Sequence, residues 1–332
     1  MSHAIKLPTV FKQPIVIGLM ALVLVACSGG GGSAPASNSV DASVGAQTET
    51  ETETETETET ETETTTPDSI TSLTGNTSPE SYSGYSLLWS DEFSGSALDD
   101  SKWGYDIGGD GWGNNELQYH GTENASVEGG YLIIEAREES FGGRSYTSSR
   151  INTKDKFSFK YGRVDIRAAL PEGKGLWPAL WMLGQNFSTV SWPYCGEIDI
   201  MEMVGGNGLE NRTVGTAHWN NGGVYESNGT TKKPYAPVSY GDNYSLSGTE
   251  TLANAFHIFG LTWTPDSITW YIDGVQYHTM AIDSSASLSA FQKDFFLIFN
   301  VAVGGDWPGS PDANTVFPQR MLVDYVRVFQ QN

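Results

Sequence analysis

From Tyr85 to the C-terminus, apolar residues come in short runs of Val, Ile, Leu, Phe, Tyr and Trp separated by clusters of Gly, Asp and Asn. No window of helical length there keeps a 3.6-residue period. YLIIEAR from Tyr131, FKYGRVDIRAAL from Phe159, FHIFGLTW from Phe256, SITWYIDG from Ser267, FFLIFNVAV from Phe295 and MLVDYVRVF from Met321 have the length and β-branched or aromatic content of strands. Asp273-Gly274 stands between two aromatic-rich runs, the residue pair that a two-residue hairpin turn demands. The pattern predicts an all-β sandwich of many antiparallel strands.

The first quarter of the chain has a different texture. Lys6 and Lys12 precede the apolar run PIVIGLMALVLVA, which is too short for a bilayer span of roughly 20 residues and has the layout of a signal peptide over residues 1–27. Leu24-Val25-Ala26-Cys27 resembles a bacterial lipobox, which implies a lipid on Cys27 and, with Ser28 following, an outer-membrane lipoprotein, with a secreted protein as the alternative. Residues 28–84 are rich in Ser, Gly, Thr, Glu and Pro and carry a Thr-Glu repeat from Thr48 to Glu63. Such a segment cannot bury enough surface to offset chain entropy, and its repelling glutamates extend it, so a solvated tether is expected. The folded domain is therefore assigned to residues 85–332. With Cys27 acylated, Cys195 has no disulfide partner and is expected to be structural.

The net charge is −22, and eight of the acids sit in the repeat, yet the remainder stays acidic. That excludes a basic footprint for nucleic acid and leaves a neutral ligand open. Ten tryptophans sharpen the picture. Trp263 and Trp270 lie in alternating strands and belong to the core, whereas Trp112, Trp177, Trp181, Trp192 and Trp307 lie in glycine- or proline-rich surroundings. Aromatic faces beside Asn, Asp and Glu suit sugar rings, so the set points to a carbohydrate cleft.

The chemistry concentrates in GEIDIMEMVG, residues 196–205. Strand parity puts Glu197 and Asp199 on one face and Glu202 on the other. One extra residue at Ile200 or Met201, forming a β-bulge, would turn Glu202 onto the shared face. Glycoside hydrolysis needs two such carboxyl groups, and Glu side chains leaning together along a concave strand could approach to about 5 Å, the separation of retaining enzymes. Crowding of three acids raises the pKa of at least one, so that a protonated acid coexists with an ionised nucleophile.

The stretch resembles the signature of glycoside hydrolase family 16, in the form with an extra residue found in the endo-1,3-β-glucanase (laminarinase) branch. The likeness continues through SLLWSDEF, WGNNELQYH, YTSSRINTK, YGRVDIRAALPEGKGLWPALWML, GTAHWN and NVAVGGDWPG to VDYVRVF. It implies a β-jelly roll of two antiparallel sheets with the cleft on the concave sheet, and a retaining double displacement. It further implies Glu197 as nucleophile, Glu202 as acid/base and Asp199 as the residue that orients Glu197. Asn115, Arg150, Trp177, Trp181 and Trp192 would hold sugar, and His218 would lie toward the leaving group. No catalytic cofactor is implied, but a structural calcium at Glu92, Gly130 and Asp324 is. His257 is read as core.

The expected function is endo-hydrolysis of laminarin-like or mixed-linkage β-glucan by a monomer. Two other readings stay open on the residues alone. One is a jelly-roll lectin without catalysis, which would not need the acid pair. The other is the same enzyme acting on a galactan such as agar, carrageenan or porphyran. The Gly-, Asn- and Tyr-rich region from Gly215 to Gly248 has no course that the pattern predicts.

Overall fold

The computed structural model describes residues 73–225 and 228–332. The signal segment, the lipobox cysteine Cys27 and the Thr-Glu repeat lie outside the described residues. Seventeen strands make the fold: β1 (Tyr85–Asp91), β2 (Gly104–Tyr105), β3 (Gln118–His120), β4 (Ala125–Glu128), β5 (Tyr131–Ala136), β6 (Tyr146–Ser148), β7 (Arg150–Asn152), β8 (Gly162–Ala169), β9 (Leu176–Gly184), β10 (Glu197–Glu202), β11 (Arg212–Asn220), β12 (Pro237–Ser245), β13 (His257–Trp263), β14 (Ser267–Ile272), β15 (Val275–Ala281), β16 (Phe295–Val303) and β17 (Gln319–Gln331). The described helical pieces are single turns at Phe187–Val190 and Ser289–Gln292.

β3 and β6 form a separate parallel pair, and the other fifteen strands form two large antiparallel sheets, as the hydrophobic pattern predicts. One runs β15-β14-β13-β8-β17-β5-β4, with β1 also on β17, and the other runs β12-β11-β10-β9-β16-β7-β2. Their facing sides bury Ile134, Val164, Ile166, Leu261, Trp263 and Trp270 from the first sheet against Leu180, Met182, Ile198, Met201, Leu297 and Phe299 from the second. Asp273 and Gly274, both at positive φ, close the β14–β15 hairpin between Ile272 and Val275. Asp273 also accepts from the Ile258 N–H and lies 2.7 Å from His257 Nδ1, so the core reading of buried His257 holds with a half-buried partner.

In β16 every residue is buried. Its core side, Leu297, Phe299 and Val301, faces the opposite sheet. On its other side Phe296 and Ile298 pack with Leu183, Val190, Tyr194 and Cys195, a second apolar cluster beneath the loop that precedes β10. That loop covers one part of the seven-stranded sheet's outer face, and the floor turns polar at Asn300. Burial there pushes the Cys195 thiol up to about 12, which fits a structural cysteine.

Two segments differ from the sequence reading. The region from Gly215 to Gly248 contains most of a long hairpin, β11–β12, in unbroken register from Arg212↔Ser245 to Asn220↔Pro237. Gly241 is required there, since a Cβ would stand 2.7 Å from Thr216 Oγ1 and 2.8 Å from the Gly215 carbonyl. Residues 73–84, assigned above to the tether, are instead laid along the eight-stranded sheet. Asn76 N–H donates to the Phe256 carbonyl and Phe256 N–H to that of Thr74, both at 2.9 Å. The Ser78 N–H donates to the Tyr325 hydroxyl (2.7 Å), the Tyr82 hydroxyl to buried Asp165 (2.6 Å), and Arg167 Nε to the Asn76 carbonyl (2.6 Å). Composition hides this strap because its partners come from strands far along the chain.

Candidate active site

β10 lies between β9 and β11, and both of its registers break in the same place. Against β9, Asp199 faces Trp181 and Met201 faces Leu180; against β11, Asp199 faces Thr216 and Glu202 faces Val214. Ile200 is the unpaired extra residue relative to β9. Residues paired across a ladder share a face, so Glu202 opposite Ala179 stands on the same face as Glu197 opposite Leu183 and Asp199 opposite Trp181. The bulge expected from the sequence is present, and Ile198, Ile200 and Met201 are all buried in the core.

The acids are held by polar neighbours. His218, paired with Glu197 across the ladder, brings Nε2 to 3.1 Å from Asp199 Oδ2 and 3.8 Å from Glu197 Oε1. Its Nδ1 is 2.7 Å from Ser239 Oγ on β12, so the long hairpin fixes the imidazole. Trp177 Nε1 donates to Glu202 Oε1 at 3.0 Å. Burial, then the charges of Asp199 and Glu202, pushes the Glu197 carboxyl up to about 8, against the pull of His218 and Arg150. Burial and the Asp199 charge push Glu202 up to about 8 as well, against His218 and the Trp177 hydrogen bond. Burial raises Asp199 well above the usual carboxylate range. A trio pushed upward together retains protons near neutrality, which supplies an acid. The Arg150 guanidinium favours ionisation of Glu197.

Beyond the acids the cleft is aromatic. Arg150 is sandwiched between Trp112 (4.8 Å) and Trp181 (4.7 Å), and its Nε donates to Asp106 at 3.0 Å. Trp181 Nε1 donates to Asn300 Oδ1 at 2.8 Å. Trp177 meets Trp307 edge-on at 5.4 Å, and Trp192 is 6.5 Å from the His218 ring. Asn115, at positive φ, donates to both carboxylate oxygens of Asp306 (3.0 and 3.1 Å) and so ties its loop to the one bearing Trp307. Sequence reasoning missed Asn300, Ser239, Asp106 and Asp306. Asn300 could have been found as the lone polar residue in FFLIFNVAV; the other three lack a local signal.

The three positions expected to hold calcium are brought together by register. β1 and β5 meet β17 on the same side, β1 ending with Asp91 opposite Val326 and β5 reaching Leu132 opposite Val323, so Glu92 and the Gly129-Gly130 turn converge near Asp324. The side chains have other partners. Both Glu92 oxygens accept from Arg327 (2.9 and 2.7 Å), and Asp324 Oδ2 accepts from Arg167 (2.8 Å).

A family model described as glycosyl hydrolases family 16 matches residues 113–327. The chain belongs to glycosyl hydrolases family 16. A second model, beta-glucan synthesis-associated protein SKN1/KRE6/Sbg1, matches residues 17–195 and stops short of the family 16 acid strand. Among curated relatives, a beta-glucanase of Rhodothermus marinus is 41% identical over 78% of this chain and 90% of its own. Glucan endo-1,3-beta-glucosidase A1 of Niallia circulans is 39% identical over 77% of this chain and 39% of its own length. Among solved structures, the laminarinase catalytic domain of Thermotoga maritima is 46% identical with a TM-score of 0.66, covering 75% of this chain and 99% of that one.

Proposed function

We propose that this chain is an endo-acting, retaining β-1,3-glucanase of laminarin-like or mixed-linkage β-glucan. The observation that carries the reading is the bulge at Ile200, which sets Glu202 on one face with Glu197 and Asp199 beside a tryptophan-lined floor. The names of the relatives, a beta-glucanase and a glucan endo-1,3-beta-glucosidase, support the substrate class.

In the first step Glu202, protonated, gives its proton to the glycosidic oxygen while Glu197 attacks the anomeric carbon. In the second, Glu202 as carboxylate takes a proton from the water that displaces Glu197. Asp199 orients Glu197 and buffers the charge between the two acids. His218 stands on the leaving-group side, while Arg150, Trp177, Trp181, Trp192 and Asn115 bind the sugars. Glu197→Gln is expected to abolish reducing-sugar release from laminarin. Proton NMR of early wild-type products is expected to show the β-anomer first; a first-formed α-anomer, or an active Glu197→Gln, overturns the reading.

For the metal, a calcium near Asp324 would use Asp324 Oδ1 and the carbonyls of Gly130 and Glu92, since the Glu92 carboxylate is engaged by Arg327. It would serve stability alone, and a melting temperature unmoved by chelator would exclude it. We place the protein at the outer membrane as a monomer held by a lipid on Cys27. Loss of labelled palmitate incorporation in Cys27→Ala tests the anchor, and light scattering of the purified protein tests the monomer.

A further inference from the structure

The acid strand is gripped from the opposite sheet. Trp270 on β14 is fully buried, and its Nε1 donates to the backbone carbonyl of Asp199 at 2.8 Å. That carbonyl belongs to the residue at which both registers of β10 break. The reach of the indole depends on Gly215, which lies between Thr216, paired with Asp199, and Val214, paired with Glu202. A Cβ at Gly215 would stand 2.4 Å from Trp270 Cδ1 and 2.5 Å from the Tyr277 hydroxyl. The His278 ring, 4.8 Å away, packs against the indole from β15.

We propose that Trp270 is a positioning residue for the reaction: its N–H fixes the Asp199 peptide and so holds the bulge that presents Glu202 beside Glu197. A bulge is a local choice between two pairings, and a one-residue slip sends every following side chain to the other face. A carbonyl anchored from outside the ladder removes that choice. Small displacements of catalytic groups carry rate penalties of about a hundredfold per ångström, so this inter-sheet hydrogen bond bears on turnover more than on binding. The inference rests on the roles proposed above for Glu197 and Glu202.

Trp263 supplies a matched control. It is equally buried, on the neighbouring strand of the same sheet, and its Nε1 donates to the Phe291 carbonyl at 3.2 Å, away from β10. Trp270→Phe and Trp263→Phe in the full-length protein remove the same atoms from the same core. The expected result is a kcat at least tenfold lower for Trp270→Phe with KM within twofold of wild type, and kcat within twofold of wild type for Trp263→Phe despite its lower melting temperature. Should Trp270→Phe fail to fold, β-(3-benzothienyl)alanine at position 270 keeps the ring shape, removes only the donor, and decides the question. Full kcat in the Trp270→Phe or isostere protein, or an equal loss in Trp263→Phe, overturns the proposal. An active Glu197→Gln would instead overturn the mechanism on which it rests.

Discussion

The indole N–H of Trp177 donates to Oε1 of Glu202 at 3.0 Å, so a residue of the sugar-binding floor also sets the protonation of the acid. A donor to a carboxylate favours the ionised form, and here it opposes burial and the Asp199 charge, which together hold Glu202 at about 8. Trp177→Phe removes the donor, so the Glu202 pKa rises further. The alkaline limb of kcat/KM, which reports loss of the acid's proton in the free enzyme, is expected to move to higher pH. A pH series with a soluble laminari-oligosaccharide checks the direction; a limb that moves to lower pH contradicts it.

The same upward shifts make the site a burden on stability at high pH. Glu197 and Glu202 both rise from 4.5 to about 8 in the folded chain, which therefore binds their protons more tightly than the unfolded chain does. The stability they contribute is fully present below about pH 4.5 and is lost as pH rises through about 8. Glu202→Gln is therefore expected to melt several degrees higher than wild type near pH 9 and to lose most of that margin near pH 5. Calorimetry at the two pH values measures it.

The two glutamates can be told apart by the sugar azides they yield. With Glu197→Gly, azide entering in place of the missing nucleophile attacks a β-configured aryl laminaribioside directly and gives the α-glycosyl azide. With Glu202→Gly, azide opens the glycosyl-enzyme and gives the β-azide. Product NMR that finds the opposite anomers would reverse the assignment.

The strap of residues 73–84 predicts a split between stability and turnover. A chain starting at Tyr85 loses the bonds to Phe256, Tyr325 and Arg167 and leaves buried Asp165 without the Tyr82 hydroxyl. Against a chain starting at Leu73, its melting temperature is expected to fall by more than about 5 °C, while kcat at 25 °C stays within twofold, because the strap lies on the sheet that does not carry the acids.

What could be read from the sequence follows the physical range of each signal. Strands with alternating or continuous apolar runs, the Asp273-Gly274 turn and the bulged acid strand are written in neighbouring residues, and they were legible. The β11–β12 hairpin was not, because its outer arm PVSYGDNYS is an edge strand rich in polar residues, with a proline at its start and a glycine at its centre. The Ser239–His218 contact, the Asn115–Asp306 tie and the strap are all made between residues distant along the chain, where only the folded sheets bring donor to acceptor. Sequence pattern placed Trp270 correctly in the core, but its N–H acquires meaning only from the carbonyl it meets on the facing sheet.

The strap also decides which face of the domain residues 73–84 cover. Arg163, Asp165 and Arg167 alternate with core residues of β8 and point out of the eight-stranded sheet, and Tyr82 and Asn76 are bound to that outer row. Residues 73–84 thus occupy the back of the described domain, on the sheet that does not carry the acids. The sheet that carries Glu197 and Glu202 is left clear of the strap, free to meet a long polymer broadside.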